Sequence, residues 1–206
     1  DKTGNQLDLG GKPASKWSDC LGRCFDLLDE YLPSLGAELR TVAQLIVPVG
    51  YDPERHLSAS YQEYIGAAYM TLHDNDMTMV EALIHEFQHN KINAAFQQDP
   101  LLKNAFHPLY TSPVRPDPRP LHGVILAVHA FQPVAALYEA MDAADHPWAK
   151  NPSWRRRYKQ VIDKIRDGAA TTLGNAEPTS IGESYFADMA RWDAHFEQIQ
   201  QTLVAP

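Results

Sequence analysis

The chain has 206 residues, of which 44% are hydrophobic and 21% charged, and its formal net charge is -8. These values exclude fibrous and disordered classes, and the acidic balance argues against nucleic acid as the main partner, because binding phosphates needs clustered Lys and Arg. The length suffices for a substantial core. We therefore predict a single domain over residues 1–206, with residues 1–13 as a flexible lead-in.

Neither a membrane anchor nor a disulfide framework is expected. No apolar run approaches the roughly 20 residues that span a bilayer, and no signal peptide is recognisable. Cys20 and Cys24 are the only cysteines, and their spacing in a predicted helix favours neither a disulfide nor an iron–sulfur cluster. Reduced thiols and a cytoplasmic location follow as expectations. The start at Asp1, without Met, suggests a domain excised from a longer protein.

The first third of the chain predicts a helical stretch followed by strands. Apolar residues recur at helical spacing over residues 14–39, where Pro33 interrupts the pattern. Residues 45–49 form an apolar run bounded by Pro and Gly, which predicts a strand at a sheet edge. Residues 57–72 predict one or two more strands, because Ser, Tyr, Ile and Thr are frequent there. An acidic turn at residues 74–76 then offers helix N-caps.

The central motif lies in a predicted helix over about residues 77–96, in which residues 85–89 read His-Glu-Phe-Gln-His. Because a helix turns about 100° per residue, His85 and His89 project from one face and can both bind one metal ion. This pattern is typical of a zinc site with Glu86 as general base. Two solvent-exposed histidines are the alternative, but the apolar surroundings favour metal ligands. The motif indicates a metal more firmly than it indicates zinc.

A long proline-rich loop is predicted from residue 98 to residue 120. It contains six prolines, too many for a helix, and loops of this length inside a compact domain are usually functional. Its side chains with binding potential are Tyr110, Ser112, Arg115 and Arg119.

A second long helix is predicted over about residues 121–145, with His122 and His129 on nearly one stripe. Pro133 cannot donate to the carbonyl of His129 and should kink the helix there. A lone histidine on an apolar face is commonly a core residue bonded to backbone, and that alternative stays open. Because the motif leaves a metal site one protein ligand short, we favour His129 as the third ligand and treat His122 as a weaker candidate.

Two further helices are predicted over residues 153–168 and about 181–203. The sequence Ser180-x-x-Glu183 is a capping box, so Glu183 is expected to cap the last helix. The basic run at residues 155–157 is expected to form a solvated face. We therefore predict an α+β fold that is mainly helical, with a small sheet flanking the long motif helix and a second, histidine-bearing helix.

Three segments together resemble a specific family. They are residues 81–93 around the motif, residues 117–123 (Asp-Pro-Arg-Pro-Leu-His-Gly) and the helix at residues 124–134. Over roughly residues 58–138 the chain is similar to the 2-oxoglutarate-dependent HExxH-type peptide β-hydroxylases of peptide natural-product pathways. Domains of this family can be fused to a radical-SAM enzyme that crosslinks a precursor peptide, which would account for the start at Asp1.

The resemblance implies Fe(II), with 2-oxoglutarate and O₂ as co-substrates, and hydroxylation at the β-carbon of a residue in a ribosomally made precursor peptide. His85 and His89 carry over as metal ligands. His129 as the third ligand is our own placement, and it departs from the usual set of two histidines and one carboxylate. The distal carboxylate of 2-oxoglutarate needs a cation, for which the guanidinium of Arg119, and then that of Arg115, is the candidate.

Two alternatives to a hydroxylase stay open. In a zinc metallopeptidase Glu86 would deprotonate a zinc-bound water, whereas a hydroxylase needs no general base and Glu86 would orient a ligand or hold water. The other alternative is a non-catalytic domain that binds a precursor peptide and holds a structural metal. The expected partners are the peptide substrate and a fused or separate radical-SAM enzyme, with no nucleic acid and no membrane.

Overall fold

The computed structural model describes residues 6–204. Within them the fold is α+β and mainly helical, as predicted. The helices are α1 (Ala14–Tyr31), α2 (Pro33–Val42), α3 (Asp76–Gln98), α4 (Leu121–Ala143), α5 (Pro152–Asn175) and α6 (Gly182–Val204), with a 3₁₀ helix at Pro147–Lys150. The strands are β1 (Leu45–Tyr51), β2 (Ser58–Ala59), β3 (Ala67–Leu72), β4 (Leu109–Tyr110) and β5 (Arg119–Pro120).

The chain divides into two compact units, Asp1–Ala94 and Ala95–Pro206, which we call unit 1 and unit 2. Unit 1 holds α1, α2, the strands β1 to β3 and most of α3. Unit 2 holds the end of α3, the strands β4 and β5 and the remaining helices. The boundary falls inside α3. The prediction of a single domain over residues 1–206 stays a prediction.

The sheet of unit 1 has the strand order β1-β3-β2, with β1 parallel and β2 antiparallel to β3. The central strand β3 is almost entirely buried, whereas β1 lies at an edge, as the proline within it requires. Asp8 is attached to β1, because its N–H donates to the Pro48 carbonyl (2.9 Å) and its carbonyl accepts from the Gly50 N–H (2.7 Å). Of the expected flexible lead-in, residues 1–5 lie outside the described residues.

Two helices lead into this sheet. Pro33 is the first residue of α2, a position where its missing N–H costs nothing, so the interruption predicted at Pro33 is a break between two helices. On α1 the residues Cys20 and Cys24 are free and almost fully buried. A hydrogen bond to Cys20 and burial both raise the pKa of Cys24, so this thiol stays protonated.

The motif helix α3 begins next to the predicted acidic turn. The side-chain oxygen of Asn75 accepts hydrogen bonds from the N–H groups of Met77 (2.9 Å) and Thr78 (3.4 Å), so Asn75 caps the helix. Arg23 on α1 forms two hydrogen bonds of 2.8 Å with Asp76 in the first turn of α3. Local capping and this ion pair fix where α3 starts relative to α1.

In unit 2 the helix α4 is the apolar centre. By length and composition it could cross a membrane, contrary to the expectation that no segment approaches that length. However, 61% of its most apolar window is buried inside the protein, and a mostly buried core helix passes the same test of length and composition. The helix continues through Pro133.

Two predictions for the helices of unit 2 are wrong, one for the end of α5 and one for the residue that caps α6. Helix α5 does not end at Gly168 but continues to Asn175. A Cβ at residue 168 would lie 2.5 Å from Cγ2 of Val128 on α4, so this glycine permits close helix packing and does not terminate a helix. The capping hydroxyl of α6 belongs to Thr179 and not to Ser180, because Thr179 Oγ1 accepts from the Gly182 N–H at 3.1 Å.

The proline-rich loop carries a short antiparallel ribbon of β4 and β5. Thr179 Oγ1 donates to the Pro100 carbonyl (2.7 Å), and the Lys103 N–H donates to the Glu177 carbonyl (2.8 Å). The start of the loop is therefore tied to the segment that precedes α6, and the loop ends where β5 runs directly into α4.

Candidate functional site

The two histidines of the motif lie side by side on α3. Their ring centroids are 4.4 Å apart and the ring planes are inclined at 81°. Both side chains are half-buried, in contrast to the buried residues that separate them along the helix. The four-residue spacing therefore does place two imidazoles together, as the sequence predicts.

Glu86, between these histidines in sequence, is a buried carboxylate with only 3% exposure. The Ser58 hydroxyl donates to its Oε1 at 2.6 Å, and the Ser60 hydroxyl donates to its Oε2 at 2.7 Å. Ser58 lies in β2 and Ser60 directly follows it, so the two hydroxyls project from one side of an extended segment. Each oxygen of this carboxylate thus accepts one hydrogen bond from a serine hydroxyl.

Asn90 continues this polar stripe one turn further along α3. Its Oδ1 accepts from the Gly66 N–H (2.7 Å), and its Nδ2 donates to the carbonyls of Ala67 (3.1 Å) and Glu86 (3.0 Å). Glu86 and Asn90 are four residues apart and therefore share one face of the helix. Together they fix the rotation of α3 against β2 and β3.

Sequence reasoning did not identify Ser58, Ser60 or Asn90. The signal for the serines is weak, because two small hydroxyl residues with i, i+2 spacing near a strand are common. Asn90 had a stronger signal, since an amide one turn after the motif glutamate, on a helix with a buried polar face, needs hydrogen-bond partners.

In unit 2 the half-buried ring of His129 on α4 lies 5.9 Å from the ring of Tyr185 on α6, centroid to centroid. Burial, and secondarily the charge of Asp188, raise the pKa of Tyr185, so its hydroxyl stays protonated near neutral pH. One turn after His129, Gln132 has a buried amide nitrogen. Neither Tyr185 nor Gln132 was identified from the sequence.

The weaker candidate, His122, lies in an aromatic setting. Its ring centroid is 4.6 Å from that of Phe96 and 5.4 Å from that of Phe106. Burial lowers the pKa of His122, which keeps the ring neutral. These contacts are those of a packed structural histidine.

The two predicted anion-binding arginines differ in their surroundings. Arg119 lies in β5 and pairs through Nη2 with Asp117 Oδ2 at 2.9 Å, while its Nε is buried and has no hydrogen-bond partner among residues 6–204. Arg115 is exposed. Arg119 thus has an exposed counterion, Asp117, and a buried N–H donor, whereas the side chain of Arg115 is exposed to solvent.

The six predicted site residues are divided between the two units. His85, Glu86 and His89 belong to unit 1; the others, His129, Arg119 and Arg115, belong to unit 2. Across residues 6–204, no three or more His, Cys, Asp and Glu side chains are grouped so as to hold one metal ion. The set of three histidines therefore stays a prediction from the sequence, and the pair on α3 is what the geometry supports.

Comparison with protein-family models and with curated proteins gave no match to this chain. The resemblance to peptide β-hydroxylases accordingly stays a hypothesis, and the arguments for function come from the side chains themselves.

Proposed function

We propose that this chain is a non-haem iron, 2-oxoglutarate-dependent dioxygenase that hydroxylates the β-carbon of a residue in a ribosomally made precursor peptide. Fe(II) is the resident metal, and 2-oxoglutarate and O₂ are co-substrates. The protein acts in the cytoplasm, with a radical-SAM enzyme as its fused or separate partner.

The imidazole pair of α3 supports metal binding. Metal–nitrogen bonds of about 2.1 Å bring two rings on one ion into close contact, and the centroid separation of 4.4 Å with inclined planes is compatible with that arrangement. When bound, Fe(II) with 2-oxoglutarate supplies the oxidising chemistry that attack on an unactivated C–H bond requires. His85 and His89 would hold the ion, and His129 is the third ligand that the sequence predicts.

The observation that carries the choice of reaction is the state of Glu86. A general base needs an oxygen within reach of the water that it deprotonates, yet both oxygens of Glu86 accept serine hydroxyls at 2.6 and 2.7 Å. Its side chain is also almost inaccessible, at 3% exposure. This arrangement favours a positioning role for Glu86, and such a role is compatible with a hydroxylase, which needs no general base.

Arg119 is the candidate cation for the distal carboxylate of 2-oxoglutarate. Its guanidinium can bind a carboxylate through two nitrogen atoms, and its present partner Asp117 is exposed, so a ligand carboxylate can replace Asp117 at small cost. Arg115 is the second candidate.

One observation is also compatible with the alternative of a zinc metallopeptidase. Strand β2 lies at an edge of the sheet and contacts α3 through Ser58 and Glu86. An edge strand can pair with an extended peptide, and such a peptide would lie beside the motif helix. The same edge would serve a peptide hydroxylase, so it supports a peptide substrate in either case.

The test is anaerobic loading with Fe(II), followed by titration with 2-oxoglutarate while the weak visible metal-to-ligand charge-transfer band is recorded. We expect the band in the wild-type protein and its loss in His85→Ala and His89→Ala. His107→Ala, which alters an exposed loop histidine, is the matched control and should keep the band. Loss of the band in His129→Ala would support its role as third ligand.

Glu86→Gln separates the two enzyme classes. A hydroxylase should retain the charge-transfer band in this variant, because no general base is lost. Absence of the band in the wild type, together with tight zinc binding and peptide cleavage that Glu86→Gln abolishes, would overturn the proposal in favour of a peptidase. Metal binding with neither hydroxylation nor peptide cleavage would favour the alternative of a non-catalytic, peptide-binding domain with a structural metal.

A further inference from the structure

A basic patch lies at the start of α5 in unit 2. Residues 150–159 contain five cationic side chains and no acidic one, whereas the whole chain has a formal net charge of -8. Five of the 18 Lys and Arg residues are thus concentrated in one short segment of an acidic chain. We define the basic patch by these five residues, which are Lys150, Arg155, Arg156, Arg157 and Lys159.

The packing of α5 on α4 fixes the direction in which the basic patch faces. Trp154 and Tyr158 are buried, and their ring centroids lie 4.7 and 5.2 Å from that of Tyr138 on α4. Because a helix turns about 100° per residue, this anchoring directs Arg155 and Arg156 towards solvent, where both are exposed. The cations are therefore presented on a rigid element and not on a loop.

The ion pairs within the basic patch leave it positively charged. Three of its five cations pair with aspartates at nitrogen–oxygen distances of 2.7–3.3 Å, and each side chain involved is at least 35% exposed. The pairs are Lys150–Asp145, Arg155–Asp142 and Lys159–Asp163. Exposed pairs of this kind are weak, so another carboxylate can replace an aspartate. Arg156 has no ion pair among residues 6–204.

The stability of α5 itself does not account for these cations. Arg155 and Lys159 are four residues apart and are therefore neighbours on the helix surface, where like charges destabilise a helix. The first turn of α5 also contains no acidic residue that would compensate them. Binding of an anionic partner gives such a concentration of positive charge a physical role.

The surroundings of the basic patch favour an acidic peptide over a nucleic acid. Trp148 lies next to the patch in sequence and is 38% exposed, and Trp and Arg are the residues that most often dominate protein–protein binding. The aspartates that pair with the patch also lie at its border. They would repel a phosphate backbone that extends beyond it, whereas a short acidic segment need not reach them.

The spacing of the cations agrees with an extended peptide. Arg155 and Lys159 are separated by about 6 Å along the helix axis. Side chains at alternate positions of an extended chain are about 7 Å apart and point to the same side. Two carboxylates at alternate positions can therefore reach both cations, and a guanidinium can bind a carboxylate through two nitrogen atoms.

We propose that the basic patch binds an extended acidic peptide segment, whose carboxylates at alternate positions pair with Arg155, Arg156 and Lys159. The binding requires neither a metal nor 2-oxoglutarate. It is therefore independent of the proposed function and can be tested without it.

The experiment measures the fluorescence anisotropy of a short fluorescein-labelled peptide of alternating Glu and Ala, titrated with the full chain at physiological ionic strength. The same peptide with Gln in place of Glu, and a labelled thymidine oligonucleotide, are the comparison probes. We expect the Glu peptide to bind more tightly than either. Arg156→Glu should weaken its binding about tenfold or more, because an attraction becomes a repulsion.

Lys103→Glu is the matched control. Lys103 is exposed and lies outside the basic patch, and the variant changes the net charge of the protein by the same amount as Arg156→Glu. We expect it to bind the Glu peptide within about twofold of the wild type, because salt screens distant charges. Thermal denaturation of both variants verifies that they are folded, and Arg156→Lys should retain most of the binding.

Three results would overturn the inference. They are no binding of the Glu peptide by the wild type, tighter binding of the oligonucleotide than of the Glu peptide, and an equal loss in Arg156→Glu and Lys103→Glu. The last result would mean that only the net charge of the protein matters. All three would leave the proposed function standing, since that is tested by metal and 2-oxoglutarate binding.

Discussion

At the scale of single residues, Glu86 combines a structural and a functional role. Its carboxylate is buried and accepts hydroxyl hydrogens from Ser58 and Ser60. A buried charged group is stable only when hydrogen bonds replace its hydration. The serines therefore permit a glutamate at this position, and the glutamate in turn ties α3 to β2.

We expect Glu86→Ala to lower the free energy of unfolding by about 2–4 kcal/mol, because two hydrogen bonds to a charged group are lost. The measurement is urea denaturation followed by circular dichroism. Glu54→Ala, at an exposed position of the same unit, should change the value by no more than about 0.5 kcal/mol. An equal loss in both variants would contradict the structural role of Glu86.

His56 makes stability depend on pH. Burial, and then repulsion from His73, lower the pKa of His56 to about 4. A histidine in the unfolded chain titrates near pH 6.5, so between these values the unfolded state binds the proton and the folded state does not. The contribution of His56 to the free energy of unfolding is therefore constant above about pH 6.5. This contribution is lost progressively as the pH falls towards about 4.

We expect the free energy of unfolding to decrease by on the order of 1–3 kcal/mol from pH 6.5 to pH 4 through this residue. His56→Gln should flatten that part of the pH profile, measured by urea denaturation at several pH values. His107→Gln, at an exposed position, should not. A profile with the same slope in His56→Gln would show that other groups cause the dependence.

At the scale of elements, the packing of α5 on α4 depends on Gly168. A Cβ at this position would lie 2.5 Å from Cγ2 of Val128 and 3.2 Å from Cγ of Pro113. Alanine is the better helix former by about 1 kcal/mol, yet the steric conflict exceeds that gain. The glycine is therefore explained by the helix interface and not by the helix itself.

Gly168→Ala should lower the free energy of unfolding by about 1–3 kcal/mol, as overpacking of a core usually does. Gly174→Ala in the same helix meets no atom within 4 Å and should leave stability unchanged or slightly raised. Chemical denaturation of the two variants side by side measures the difference. A stabilised Gly168→Ala would mean that α4 and α5 are packed less tightly than described.

At the scale of the whole molecule, metal binding should stabilise the fold by mass action. A ligand that binds only the native state at 100 times its dissociation constant contributes about 2.7 kcal/mol. For a chain of this length that corresponds to a rise in melting temperature of roughly 5–10 °C. We expect this rise with Fe(II) under anaerobic conditions, measured by differential scanning fluorimetry.

The rise should disappear in His89→Ala and persist in His107→Ala. If His129 is the third ligand, His129→Ala should also reduce it. A full rise in His129→Ala would restrict the metal site to the pair on α3 and ligands from elsewhere. No rise in the wild type with any divalent transition metal would contradict metal binding by this chain.

The sequence by itself determined the elements and the motif pair. Helical periodicity, prolines and caps are local properties, so the α+β fold, the edge strand β1 and the long helices α3 and α4 could be predicted. The proximity of His85 and His89 follows from the helix repeat alone, and their rings do lie 4.4 Å apart. The helices and strands, and the proximity of the two histidines, depend mainly on residues close together along the chain.

Only the tertiary structure decided which side chains surround the predicted residues. Ser58 reaches Glu86 across 28 positions of sequence, and Tyr185 reaches His129 from a different helix. The sequence predicts a helix end at Gly168, whereas the structure shows that this glycine permits the close approach of Val128. Such contacts depend on how separate elements pack against each other, and no local pattern encodes that packing, because many sequences with the same periodicity would pack differently.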